Sequence, residues 1–370
     1  MAHFDIPARA TLLAFATALT ATSAQAGHEQ LTITSWGGAY TASQMQAYVN
    51  PFREQVDVSV EVVDYNGGLD EIRNQVRSLN VIWDVVDVGL ADALRGCQEG
   101  LLEPIDPAIL APAPDGTAAT GDFLPGMLQR CAVGQNVFST VIGYDPADFD
   151  GDPPASVQDF FDLRAFPGRR GVRRDPQVIL EWATMAAGVP ADEVYPTLAT
   201  DAGLARAFAQ LDRIKAHIVW WENAAEPPQL LADNEVSMTQ SYNGRLQDAI
   251  EAGDPGAILW DGQILDTELW AIVKGTPHLD RALEFVAFAT TPDRQAEQSR
   301  HIAYGPARRS SMAMLESEYL TRLPTAPDND LNSLQADSAW WAEHMAEIEP
   351  VFEAWIERDI GLQGPSGSAL

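Results

Sequence analysis

Glu268 stands immediately before the apolar run Leu269-Trp-Ala-Ile-Val273. A carboxylate entering a buried strand needs a partner, because burying an unpaired charge is strongly disfavoured. Asp266, two residues earlier, competes for the same role, and Glu222 follows Trp220-Trp221. Such acids can fix an ammonium group by charge-assisted hydrogen bonds. The opposite charge has candidates too. Gly37-Gly38 forms a turn before a predicted helix and could offer backbone N–H groups to a carboxylate or phosphate, with Arg173, Arg174 and Arg245 adding positive charge. The parts of a site for a charged solute are present, for either sign.

The familiar catalytic signatures are missing. No G-x-x-x-x-G-K-[ST] loop, G-x-G-x-x-G turn, H-E-x-x-H or G-x-S-x-G occurs. The six histidines, at 3, 28, 217, 278, 301 and 344, are not paired at helical spacing. Acid pairs such as Asp84/Asp87 carry no information in a chain with 53 Asp and Glu. An exported hydrolase using carboxylates is therefore a remote alternative, recognisable by turnover of its ligand. Cys97 and Cys131 lack zinc-site neighbours. In an oxidising compartment they form one disulfide, worth about 3–4 kcal/mol by chain entropy; otherwise they are two buried thiols.

The elements that would position these residues alternate. Strands are expected over 31–35, 56–63, 81–88, 136–144, 218–221, 235–241, 257–260 and 268–273, with helices between them and a final helical region over 338–358. Helix 176–187 opens on Asp175-Pro176, where an N-cap role accounts for the acid without any ligand. The rhythm is that of an α/β fold with crossover connections. At 370 residues there is length for two domains.

Residues 1–26 have the pattern of a secretory signal: a short apolar stretch, then Ala24-Gln25-Ala26, with cleavage expected after Ala26. No later run reaches the roughly 20 apolar residues of a transmembrane helix. The formal net charge of −30 argues against nucleic acid as a partner. It also fits a salt-adapted surface, so it does not identify the solute.

Leu31-Thr-Ile-Thr-Ser-Trp-Gly-Gly-Ala-Tyr40, Gln98–Asp106, Ser139–Tyr144, Gly171–Pro176, Leu231–Met238 with Tyr242-Asn-Gly-Arg245, Trp270–Lys274 and Tyr304-Gly-Pro306, taken in order, resemble the solute-binding proteins of spermidine/putrescine-type ABC importers. The resemblance spans nearly all of the chain after residue 30. It implies a type II periplasmic binding fold, α/β and two-lobed, with a hinge and an interlobe cleft. Lobe 1 would comprise 27–139 plus 269–305, and lobe 2 140–268 plus 306–370. It further implies a periplasmic, monomeric binding protein without metal or cofactor, which delivers a small polar solute to membrane permease subunits.

In that family aromatic walls cover the methylenes of a polyamine and carboxylates hold its ammonium ions. Trp36, Tyr40, Tyr242 and Tyr304 match aromatic positions, and Glu268 matches the principal acid. Asp175 matches a second acid. Three departures stand out: Val178 replaces an acid, Leu90 and Ala91 an aromatic, and Asp266 another aromatic. The expectation is a cationic solute, a polyamine or related amine. The alternative is an anionic or zwitterionic one, such as an opine, an amino-acid derivative or an organic acid.

Overall fold

The computed structural model describes residues 1–3, 30–56 and 58–358; the expected cleavage point after Ala26 lies outside them. Eleven strands form one mixed sheet among the described residues. They are β1 (Gln30–Ser35), β2 (Ser59–Asp64), β3 (Val85–Gly89), β4 (Leu128–Gln129), β5 (Ala132–Tyr144), β6 (Arg170–Arg173), β7 (Ile218–Trp221), β8 (Met238–Tyr242), β9 (Ala257–Ile272), β10 (Gly305–Pro306) and β11 (Leu334–Gln335). The main order is β2-β1-β3-β9-β5-β8-β6-β7. β1 pairs in parallel with β2 and β3, and β6 in parallel with β7 and β8. The antiparallel pair β5–β9 lies between these two parallel groups.

Each half is a sheet covered on both faces. In the first half, alternate residues of β9 serve opposite faces: Trp270 and Ile272 join Phe52 and Phe285, while Leu269 and Ala271 join Val86, Val88 and Ile72. In the second half, Trp182, Phe160 and Phe352 fill one face and Val141, Leu231 and Leu246 the other. Burying each such large side chain contributes about 1.5–3 kcal/mol. The two cysteines are bonded to each other, tying the helix Leu90–Gln98 to the start of β5.

Several boundaries differ from the pattern in the sequence. The strands expected at 257–260 and 268–273 are one strand of 16 residues. Asp261-Gly262 resembles a break, yet Gly262 takes φ +73° and packs on Val157 where a Cβ would come within 2.8 Å; its carbonyl accepts from Trp182 Nε1 at 2.8 Å. The strand bends there and continues. β3 starts later than expected, because the N–H groups of Ile82 and Trp83 donate to the Gln75 side chain and not to a ladder. The helix expected from Pro176 begins at Ile179. Asp175 accepts from the N–H of Gln177 at 2.8 Å, and Ile179 N–H closes on the Gln177 carbonyl around Val178, whose φ is +70°. This tight γ-turn brings Gln177 and Val178 to the cleft.

β5 and β9 run through both halves, and their register shifts at Gly134/Asn136 and Thr140/Ile142. We propose that the lobes divide within these two strands. On this proposal the later crossing, expected at Pro306, is placed further along. Arg308 is fully buried, pairs with Asp122 at 2.6 Å and donates to the carbonyls of Thr290 and Ala111. We therefore propose that the chain stays with the first half until β11 joins β9 at Ile264 and Leu265.

Candidate functional site

A cleft of about 610 Å³ opens between the halves, within the size range of small-molecule sites. All eight residues singled out in the sequence line it: Trp36, Tyr40, Asp175, Glu222, Tyr242, Asp266, Glu268 and Tyr304.

Its inner end is built on the crossing strands. Glu268 faces Asn136 of β5 on one side and Gly89 of β3 on the other. It is 8% exposed, and its Oε2 has no hydrogen-bond partner. Burial pushes its pKa well up, and the neighbouring Asp87 and Asp266 push it further. The indole N–H of Trp36 faces the same carboxyl and offsets this in part, without closing a bond of ordinary geometry. Asp87 is better served. Its Oδ2 accepts from Tyr40 Oη at 2.8 Å, from Gln135 Nε2 at 3.0 Å and from Gln44 Nε2. Burial raises its pKa, and these donors restrain the rise. Of this pair Asp87 is therefore the more readily ionised, and Glu268 holds its proton more tightly than an ordinary glutamate. Burial also takes Asp266 up to about 6, against one donor, the N–H of Thr267 at 2.7 Å.

Aromatic rings surround these acids. Phe138 lies 5.6 Å from Tyr242 and 5.7 Å from Tyr304, and Tyr304 lies 5.7 Å from Tyr40. Trp36 packs on Tyr65 at 5.1 Å. The Trp36 ring needs a glycine opposite it: at Gly67, φ is +81° and a Cβ would approach the indole to 2.5 Å.

The facing wall is basic. Arg173, at the end of β6, donates to Tyr242 Oη at 3.0 Å, and its positive charge lies within electrostatic reach of Glu268. Arg245 donates to the carbonyls of Gly37 and Trp36 at 3.0 and 2.9 Å, reaching from one half to the other. Both guanidinium groups spend these bonds on neutral oxygens. The remaining cleft arginines are neutralised: Arg73 by Asp70 and Glu99, Arg95 by Asp92, Arg174 by Glu353.

The expected anion site at Gly37-Gly38 is not presented to the cleft. Gly37 N–H donates to Thr41 Oγ1 at 2.8 Å, and the Arg245 guanidinium covers this turn. Asp175 does not cap the helix, which starts at Ile179 behind Val178 with no side-chain cap; it accepts from the N–H of Gln177 in the turn before it, and Glu222 is an exposed rim residue. Phe138, Glu181, Trp341 and Met345 also line the cleft and escaped the sequence reading. Glu181 could have been found by the argument applied to Glu268, since it too is an acid inside an apolar run, Ile179-Leu-Glu-Trp-Ala183. Nothing local marks Trp341 and Met345, which arrive from the distant helix Ser338–Glu357.

A two-half α/β molecule with a charged aromatic cleft on its shared strands is the architecture of a solute receptor. A family model for bacterial extracellular solute-binding proteins matches residues 47–327. The chain belongs to that family. Its members are solute-binding components of ABC importers that pass solute to permease subunits, and they are not enzymes. The γ-aminobutyric acid-binding protein of Pseudomonas aeruginosa is 42% identical over 338 residues, covering 91% of this chain and 94% of that protein. The binding protein MotA from A. tumefaciens B6, solved with glucopine, is 30% identical with a TM-score of 0.81, covering 88% of this chain and 99% of that one. A structure of a GABA receptor is 29% identical with a TM-score of 0.77, covering 91% and 100%. These matches establish the periplasmic binding fold. None of the three is named for a polyamine, so they give no support to the spermidine/putrescine reading. Among the described residues no helix is long and apolar enough to cross a membrane.

Proposed function

We propose that this solute-binding protein captures a short zwitterion, an ω-amino acid of the γ-aminobutyrate type, by closure of its lobes. One observation carries the choice: Glu268, a buried carboxyl with one oxygen unpartnered, lies within electrostatic reach of a guanidinium, Arg173, whose hydrogen-bond partner is neutral. An ammonium placed at Glu268 gains a charge-assisted hydrogen bond and the faces of Tyr40, Phe138 and Tyr304. A carboxylate on the other end of the same solute neutralises Arg173. A diamine would set its second ammonium against that guanidinium, and a dicarboxylate would set an anion against Glu268 and Asp87. The names of the relatives above support the same class. Closing around a solute that bridges the two walls shifts the population toward the form a permease receives.

Calorimetric titration of the purified protein with 4-aminobutyrate, putrescine and succinate tests this. Only 4-aminobutyrate should bind below about 100 μM, and Arg173→Gln should weaken it at least tenfold, since hydrogen bonds to charged groups contribute about 1.5–3 kcal/mol. Putrescine binding as tightly as 4-aminobutyrate, with Arg173→Gln without effect, would return the assignment to the cationic class.

A further inference from the structure

A four-carbon amino acid spanning Glu268 and Arg173 leaves much of the cleft unfilled. The remainder lies toward the second half and is lined by Ile264, Asp266, Glu181, Trp341 and Met345. Ile264, Asp266 and Glu268 alternate along β9 and share one face of it, with about 6.6 Å between successive members. Asp266 is thus one step along the strand from the ammonium position proposed above. Glu181 approaches from another element, the first turn of the helix Ile179–Ala186. Tyr195 lies within electrostatic reach of both carboxyls.

Glu181 is 1% exposed, and its two oxygens differ. Oε1 accepts from Trp341 Nε1 at 2.6 Å and from Tyr195 Oη at 3.2 Å. Oε2 is buried and closes no hydrogen bond of ordinary geometry, the backbone N–H groups of Val178 and Glu181 only lying near enough to the carboxyl to offset part of its burial. Anchoring the C-terminal helix through Trp341 requires only Oε1, and the carbonyl oxygen of a glutamine would serve as well without a buried ionisable group. A role confined to packing leaves Oε2 unexplained. Trp341 and Met345 line the same end of the cleft, and an indole ring and a thioether suit methylenes and a cation.

We propose that this end of the cleft is a second cation subsite, in which Asp266 and Glu181 receive a second basic nitrogen of a solute already held at Glu268 and Arg173. The corresponding solute class is the diamino acids: one carboxylate and two amines separated by a short aliphatic chain. This proposal rests on the zwitterion reading for the orientation of the solute.

The test titrates wild type, Glu181→Gln and Asp266→Asn with 4-aminobutyrate, 2,4-diaminobutyrate, ornithine and lysine, after thermal melting has shown each variant to be folded. At least one diamino acid should bind wild type ten times more tightly than 4-aminobutyrate. Each variant should cut that ratio at least tenfold. If 4-aminobutyrate binds as tightly as every diamino acid, or if both variants weaken all solutes alike, the subsite is refuted and the zwitterion reading stands. If a diamino acid binds and loses its affinity in the variants while 4-aminobutyrate does not bind at all, the subsite stands and the ω-amino acid reading falls. Binding of none of the four by folded wild type overturns both.

Discussion

Replacing Glu268 by glutamine should affect stability and affinity in opposite directions. In the empty cleft, Glu268 Oε2 and Asp87 Oδ1 are buried without hydrogen-bond partners of ordinary geometry, and Asp87 raises the cost of ionising Glu268, while Glu268 as a donor eases that of Asp87. Asp87 already holds three neutral donors on its other oxygen, so at neutral pH the expense falls on Glu268. A glutamine amide supplies a permanent N–H toward Asp87 and removes one ionisable group. Relieving one unsatisfied buried polar group is worth about 1–3 kcal/mol, which raises the melting temperature of the empty variant by roughly a few degrees. The gain should shrink as pH falls, because the raised pKa of wild-type Glu268 favours its protonated form there. Affinity falls instead. The solute ammonium loses a charged acceptor worth about 1.5–3 kcal/mol, or roughly ten- to a hundredfold in Kd. Differential scanning calorimetry at pH 5 and 8, with titration of 4-aminobutyrate at pH 8, measures both quantities. A glutamine variant with wild-type affinity, or one that melts lower than wild type at pH 8, would refute the account of this carboxyl.

The empty wild-type protein should be more stable at pH 5 than at pH 8. Glu181 is raised by burial from its ordinary 4.5 to about 7. It therefore binds its proton more tightly folded than unfolded, and stability present below the unfolded value is lost as pH rises through the folded one. At about 1.4 kcal/mol per unit, that loss is on the order of 3 kcal/mol, and Asp266, raised to about 6, adds to it with the same sign. Asp122 opposes them at lower pH: the Ser310 and Arg308 groups hold its pKa down against burial, so its contribution disappears on acidification. Melting curves across this range should peak near pH 5, and a Glu181→Gln variant should flatten the alkaline side; equal melting temperatures at pH 5 and 8 would contradict this. Gly67→Ala should cost about 1–3 kcal/mol through backbone strain and displace the Trp36 ring, weakening 4-aminobutyrate several-fold. An unchanged affinity would mean that Trp36 does not contact the solute.

The alternation of apolar strands and amphipathic helices made the fold class legible, because each half buries a sheet on both faces. Glu268 was legible for a related reason, since an acid in an apolar strand requires an explanation outside the strand. What stayed hidden depended on distant segments meeting. Arg173 and Arg245 look alike in sequence, yet one faces the cleft wall through Tyr242 while the other clamps the Gly37 turn, and only the packing of the helix Asn243–Ala252 beside that turn separates them. Asp261-Gly262 carried every mark of a strand end; the carbonyl and N–H of Gly262 are taken up by Trp182 and Asn332, which no local pattern reveals. The Asp87 cage needs Tyr40, Gln44 and Gln135, drawn from two elements far from Asp87 in the chain.

The sharing of β5 and β9 between the halves bears on how the molecule is made. Val85 to Gly89 pairs early with β1 on one side, but its neighbour on the other side, Glu268 to Ile272, comes about half the chain later. During synthesis the first half therefore waits with one central strand edge open. Contacts of such sequence separation slow folding, because the loop must close before they contribute. Truncation before Glu268 removes the β9 partner of β3 and leaves that edge of the first half unpaired. A chain whose middle strand closes late also remains threadable for longer, which suits a polypeptide that must cross a membrane before it folds.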